Sequence, residues 1–181
     1  MKLIFLDIDG VLNSERSCDY YVEKKSNQWL RIAPWKPHVK QLNRIIKETG
    51  AKVVISSKWR NNSYIGMILA MAGFEGDIVG KTPIIKGVRG AQIQSFMDYA
   101  TIDPASCENP DKIIKIKQEL MRFLYYDPLK HILNIDSFVI LDDDDDMAHL
   151  MSKLVLVDNM VGLTLKDARK AIKILNGGCV K

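Results

Sequence analysis

The sequence predicts an α/β fold in which a parallel sheet carries helices on both faces. Short apolar runs rich in β-branched residues alternate with longer segments of helical period, the pattern of strand–helix–strand units. Three of those runs end in polar residues capable of chemistry, and open parallel sheets bind ligands beyond the carboxyl ends of their strands. At 181 residues the chain suits a single domain over 1–181, with room for a lid or loop over 13–37 and an insertion over 99–136.

Lys2 to Leu6 is an apolar run of strand length, and it leads into Asp7-Ile8-Asp9-Gly10. The polar stretch 13–37 reads as a long loop. Its Tyr20, Tyr21, Trp29 and Trp35 either close over the strand ends or pin the loop to the body, and long loops need such anchors. Val39, Leu42, Ile45 and Ile46 give one apolar face to a helix over His38 to Thr49, which Gly50 ends as a left-handed cap. Lys52 to Ile55 is a second buried strand and ends at Ser56-Ser57-Lys58-Trp59-Arg60. A helix over Ser63 to Ala72 is closed by Gly73, and glycine and proline make 74–89 a loop with at most a short strand. Gly90 to Asp98 forms the next helix. Pro104, Pro110 and Pro128 punctuate 99–136. Between them Asp111 to Tyr125 shows Ile113, Ile116, Leu120, Phe123 and Leu124 on one helical face and Lys112, Lys115, Lys117 and Arg122 on the other. That basic face reads first as solvated surface, with contact to a polynucleotide backbone as the alternative. Ser137 to Leu141 is a further buried strand and runs straight into Asp142 to Asp146. Leu154 to Val157 is the last strand, and Gly162 to Leu175 is a closing helix with Thr164 as its cap.

Hydrophobic residues make up 47% and charged residues 27%, the balance of a soluble globular chain. A net charge of +4 suits an anionic substrate without by itself marking a nucleic-acid binder. Cys18, Cys107 and Cys179 are far apart, odd in number and in no CxxC pair. They argue against a disulfide framework or a zinc site and fit a reducing compartment. The apolar start is short and ends in acids, so no signal peptide is expected, and no stretch approaches the roughly 20 apolar residues of a membrane span. The expectation is a cytoplasmic protein with no membrane contact, its oligomeric state open.

Asp7 and Asp9 sit at i and i+2, so in an extended chain both face one side while Ile8 faces the core. Carboxylates that close repel, and a cation or a shared proton must compensate. Mg²⁺ takes near-octahedral oxygen ligation from one or two carboxylates, waters and a substrate phosphate. Asp7 and Asp142 can supply the carboxylates. A phosphorus centre then needs an in-line nucleophile, and Asp7, nearest the strand, is the candidate, by way of an aspartyl-phosphate. Asp9 can protonate the leaving oxygen and then take a proton from the hydrolytic water. Ser56, with a cation such as Lys58 or Arg60, can hold the phosphate oxygens. Plainer readings exist for each part: a turn at Asp7 to Gly10, a helix cap at Ser56, a solvated acidic run after Leu141. The run abuts a buried strand, however, and dense like charge there is costly unless a cation is present.

LIFLDIDGVLN, VVISS and FVILDDDDD together resemble the motifs of the haloacid dehalogenase (HAD) superfamily of phosphotransferases, and the resemblance extends along the chain. It implies a Rossmann-like sheet with a small cap or none. It implies Asp7 as nucleophile, Asp9 as acid/base with its main-chain carbonyl on Mg²⁺, Ser56 and Ser57 on the phosphate, and Asp142 and Asp143 as the acidic pair at the metal. The family's remaining motif is a Lys or Arg ahead of the last acidic strand; Arg89 fits it best, with Lys86 and Lys81 as competitors. More narrowly, DIDGVLN, ISSKWR, RGAQI, VILDDDDDM and GLTLKDARKAI resemble small HAD domains linked to RNA repair, which are similar to the phosphatase half of polynucleotide kinase-phosphatases. In that group an Arg closely follows the second-motif Ser, a part open to Arg60. No P-loop, GxxxxGK[ST], occurs in the sequence.

The function implied is a Mg²⁺-dependent phosphomonoesterase acting through an aspartyl-phosphate, on nucleic-acid 3′-phosphate ends or, alternatively, on a nucleotide or small metabolite. A receiver-type phospho-acceptor fits less well, because its acceptor Asp ends a middle strand and Ser56 stands there instead. A silent accessory protein would have no use for so complete a set of catalytic residue types.

Overall fold

A computed structural model describes residues 1–23, 33–121 and 132–178. In chain order its main elements are β1 (Lys2–Leu6), α1 (Glu15–Glu23), α2 (Lys36–Thr49), β2 (Lys52–Ile55), α3 (Ile65–Met71), β3 (Ile78–Lys81), α4 (Arg89–Thr101), α5 (Pro110–Leu120), β4 (Ser137–Asp142), β5 (Leu154–Leu156) and α6 (Leu165–Leu175). The five strands form one all-parallel sheet in the order β3-β2-β1-β4-β5. The chain steps outward from β1 through β2 to β3, then crosses back to place β4 on the other side of β1. The change of direction at β1 opens a crevice at the carboxyl edge of the sheet. Leu6 pairs in register with both Ile55 and Leu141, so the next residues of three strands, Asp7, Ser56 and Asp142, arrive level.

Alternation along β1 sends Ile4 and Leu6 to one layer and Leu3 and Phe5 to the other. The first layer packs on Val39, Leu42 and Ile45 of α2, Ile65 and Leu69 of α3, and Ala168, Ala171 and Ile174 of α6. The second packs on Ile93, Phe96 and Ala100 of α4 and Leu120 of α5. Phe5 meets Phe96 edge-on at 5.6 Å between ring centres. Both faces of the sheet are therefore covered, which is why its strands read as unbroken apolar runs.

The terminal signals hold closely. Gly50 ends α2 at φ 67, with its N–H bonded to Ile46 O. Thr164 caps α6 in a reciprocal capping box with Asp167. Two expectations need correction and one is met. The stretch after β1 is not all loop: α1 occupies Glu15–Glu23, started by Ser14 and Ser17, whose hydroxyls bond to each other's backbone. Its serines and paired tyrosines hid the helical period. Tyr20 packs ring to ring with Trp35, and Trp35 meets His38 edge-on, so these aromatics tie the segment to α2. Second, the short strand allowed within 74–89 is β3. Its Gly80 breaks the apolar pattern because a Cβ there would come within 2.8 Å of the Phe96 ring. Third, Lys117 does not belong to a solvated basic face. It is buried on α5 and spans the layer to donate to Ile102 O at 2.8 Å, while Lys112 and Lys115 remain exposed. Trp29, Arg122, Phe123, Leu124, Pro128 and Cys179, the side chain of Tyr21, and parts of the 13–37 and 99–136 segments lie outside the described residues.

Candidate active site

Beyond the tips of β1, β2 and β4 lies a cavity of about 390 Å³ lined in part by Asp7, Asp9, Ser57, Lys58, Arg89 and Asp143. Asp7 is buried at its base. Its Oδ1 accepts from the Ile8 N–H at 2.7 Å and its Oδ2 accepts from Arg89 Nη2 at 3.0 Å. Carboxylate oxygens of Asp7, Asp142 and Asp143 all come within 4.8 Å of one another. Asp142 is fully buried. Burial and the neighbouring Asp7 push its pKa up to about 7, against the opposing pull of Arg89. Burial also raises Asp143, with Asp7 and Asp144 adding to it.

Glycine makes this convergence possible. Gly10 sits at φ 79, and a Cβ there would lie 2.2 Å from the Asp143 carboxyl carbon. The acidic run, which looked like one solvated block, has divided duties. Asp142 and Asp143 face the cluster. Asp144 donates its N–H to Asp142 Oδ1 at 3.1 Å, and Asp146 reaches across to cap α4 by accepting from the Arg89 N–H at 2.9 Å. Gly90 admits that contact, since a Cβ there would lie 2.2 Å from Met147 O. The start of α4 is thus locked to the loop after β4, and Arg89 is carried into the cluster.

Arg89 donates Nη1 to Ser56 O and Nη2 to Asp7, and its Nε lies 3.5 Å from Asp142 Oδ2. Burial works to lower its pKa, but Asp7 and Asp142 outweigh that and hold it raised. Of the three cations weighed for this place, Arg89 alone touches the cluster. Lys86 is exposed on the loop before α4, and Lys81 lines a different cavity. Arg60 also lines that second cavity; its Nη1 donates to Ser57 O at 3.3 Å, and burial followed by the like charge of Arg89 lowers its pKa. The Ser56 hydroxyl is wholly buried with no hydrogen-bond partner among the described residues. Ser57, not Ser56, caps the single-turn helix Lys58–Asn61, accepting from the Trp59 N–H.

Asp9 is exposed and stands apart from the acidic cluster. Trp59 Nε1 donates to its Oδ2 at 2.9 Å and Asn13 Nδ2 to its Oδ1 at 3.2 Å. Neither Trp59 nor Asn13 was picked out as a site residue from sequence. The available signal was placement: Trp59 lies between Ser57 and Arg60, and indole carries one donor that seeks an acceptor.

The donor set fits a hard divalent cation. Three carboxylates converge, and Asp142 Oδ2, 3.5 Å from Arg89 Nε, is buried with no hydrogen-bond partner among the described residues. Oxygen-only ligation of that kind suits Mg²⁺ rather than a thiophilic metal.

A crevice at the turn of a parallel sheet, with an aspartate, a serine and an acidic pair brought level at three strand tips, defines a Rossmann-like domain built for phosphate chemistry. Residues 3–168 match the HAD domain in Swiss Army Knife RNA repair proteins, and the chain belongs to that family. Its class is that of phosphatase-type hydrolases, which take phosphorylated substrates. No curated protein and no solved structure gives a significant match. No helix among the described residues is long and apolar enough to cross a membrane.

Proposed function

We propose that the protein is a Mg²⁺-dependent phosphomonoesterase that removes terminal phosphates from nucleic-acid ends through an aspartyl-phosphate on Asp7. One observation carries this reading: Asp7 lies at the base of the cavity, held by Arg89 at 3.0 Å and within 4.8 Å of the Asp142 and Asp143 carboxylates. Asp7, Asp142 and Asp143 would hold Mg²⁺, which when bound supplies positive charge to offset the carboxylates and the phosphoryl oxygens.

The side chains divide the reaction. The Ile8 N–H fixes one Asp7 oxygen, and Arg89 orients the other. A carboxylate oxygen of Asp7 attacks phosphorus, the ester P–O bond breaks, and Asp9 gives its proton to the leaving oxygen. Asp9 then accepts a proton from water as that water attacks phosphorus. Inorganic phosphate leaves, and Asp7 is restored as the carboxylate. Trp59 and Asn13 hold Asp9 at the cavity wall, so the proton donor keeps one orientation. Ser57 and Lys58, which line the cavity, bind the phosphoryl oxygens. The family's tie to RNA repair proteins supports a polynucleotide end as substrate, and the net charge of +4 suits an anionic one.

The test is a panel of 3′- and 5′-phosphorylated oligonucleotides, mononucleotides and sugar phosphates, with and without Mg²⁺. The expected result is Mg²⁺-dependent release of phosphate, fastest from the 3′-phosphorylated oligonucleotide. Equal or faster turnover of sugar phosphates would remove the nucleic-acid reading.

A further inference from the structure

A second cavity, of about 300 Å³, is lined by residues around the tips of β2 and β3, among them Arg60, Lys81, Thr82, Ile84, Ile85 and Tyr99. Its chemistry differs from that of the acidic cavity. Arg60 and Lys81 bring positive charge. Among the described residues, the hydroxyl of Thr82, itself 1% exposed, has no hydrogen-bond partner, and neither has Nε of Arg60, which is 9% exposed. Buried polar atoms without partners are costly, and both residues that carry them line this one cavity. Apolar and aromatic side chains also line it, with Ile84 and Ile85 exposed and Tyr99 half-buried. One carboxylate, Glu119, is also part of the lining.

The two cavities are joined by one short stretch. Ser57 and Lys58 line the first, Arg60 lines the second, and Arg60 Nη1 is bonded to Ser57 O. Arg60 is close enough to Asp7 and Arg89 for both charges to act on it. Cationic side chains thus run from the reacting carboxylate, through Arg89 and Arg60, to Lys81. A lone phosphate needs only the first cavity. A second anionic group, attached to something flat and partly apolar, fits the second: phosphate on the cations and hydroxyl, a base on the aromatic and aliphatic wall.

We infer that this cavity is a second-phosphate subsite, taking the phosphodiester and base next to the terminal phosphate that Asp7 attacks, so that the protein selects a chain end over a mononucleotide. The inference rests on the phosphatase reading of the first cavity and adds to it the minimum substrate, a phosphorylated dinucleotide.

Binding to the Asp7→Asn protein in Mg²⁺ is the test, with a nucleoside monophosphate and a dinucleotide phosphorylated at the same end as probes, each made as 3′ and 5′ forms. For at least one end the dinucleotide should bind about tenfold tighter, with a steeper salt dependence. Adding Lys81→Gln, or separately Thr82→Val, should bring the ratio of the two affinities towards one. Equal affinities before those substitutions, or a ratio that neither changes, would overturn the subsite. Hydrolysis of a small aryl phosphate by the unsubstituted protein reports on the first cavity alone. Its absence, together with Lys81-dependent dinucleotide binding, would leave the subsite standing and refute the phosphatase reading.

Discussion

The carboxyl edge of the sheet has an acidic half and a basic half. At β1 and β4 three carboxylates converge, and the surrounding backbone is shaped to force them together: Gly10 makes space for Asp143, and Asp146 pins α4 so that Arg89 reaches Asp7. At β2 and β3 the cations Arg60 and Lys81 line a cavity with Glu119 as its one carboxylate, and Arg60 Nε and the Thr82 hydroxyl have no hydrogen-bond partner among the described residues. The difference shows what each half is built to receive. Packed carboxylates, one of them buried with its pKa raised to about 7, are unfavourable until a cation joins them. On the subsite proposed above, the cations of the second cavity receive an anion. Arg89 stands at the seam, bonded to the acids on one side and to Ser56 O on the other.

Breaking the acidic half should have the largest effect. Asp7→Asn removes the proposed nucleophile and should lower kcat by about 10³-fold or more, with the thermal midpoint retained or raised because one repelling charge is gone. Steady-state kinetics and a melting curve check both parts. Asp142→Asn should weaken Mg²⁺ binding on the order of 100-fold in a calorimetric titration.

The same residue makes a pH prediction. Asp142 is raised from 3.8 to about 7 in the fold, so between those values the folded chain holds a proton that the unfolded chain has lost. The contribution of Asp142 to the stability of the metal-free protein is therefore fully present below the unfolded value and is lost as pH rises through the folded one. Urea melts in chelator at pH 5 and pH 8 should show a drop on the order of 1–3 kcal/mol, which Asp142→Asn reduces. A flat profile in the unsubstituted protein would contradict the raised value.

Smaller effects sharpen the comparison. Gly10→Ala meets both a positive φ and the Asp143 carboxyl, and should cost about 2 kcal/mol of stability and roughly tenfold in activity. Trp59→Phe deletes the bond to Asp9 Oδ2 without emptying the space. It should slow hydrolysis of alkyl phosphates, whose poor leaving groups need the proton, by about fivefold, and that of aryl phosphates less. An equal loss on both would mean Trp59 matters for packing and not for holding the acid.

The acidic half was largely legible in the sequence, because its parts stand at the ends of apolar strands that advertise their own burial. Asp7, Ser56 and Asp142 each follow such a run, and parallel pairing in register brings them level. The basic half was less legible. Lys81 lies on an edge strand that Gly80 disguises, and Arg60 sits in a single-turn helix with no period to read. The bond between Trp59 and Asp9 joins residues 50 apart, and the reach of Asp146 to the start of α4 spans 57. Contacts of that kind depend on the packing of helices across the sheet, which local pattern does not encode. Lys117 shows the converse: its helical position was read correctly, but its burial depended on a carbonyl from a different segment.

The most direct measurement is transfer of label to Asp7. The protein is mixed with a Mg²⁺ salt and an oligonucleotide carrying a radiolabelled terminal phosphate, quenched in acid, and digested to locate the label. A hydroxylamine-labile phosphoryl group on the peptide containing Asp7, absent without Mg²⁺ and absent in Asp7→Asn, is the predicted result. Phosphate release that persists undiminished in Asp7→Asn, or label on another residue, would contradict it.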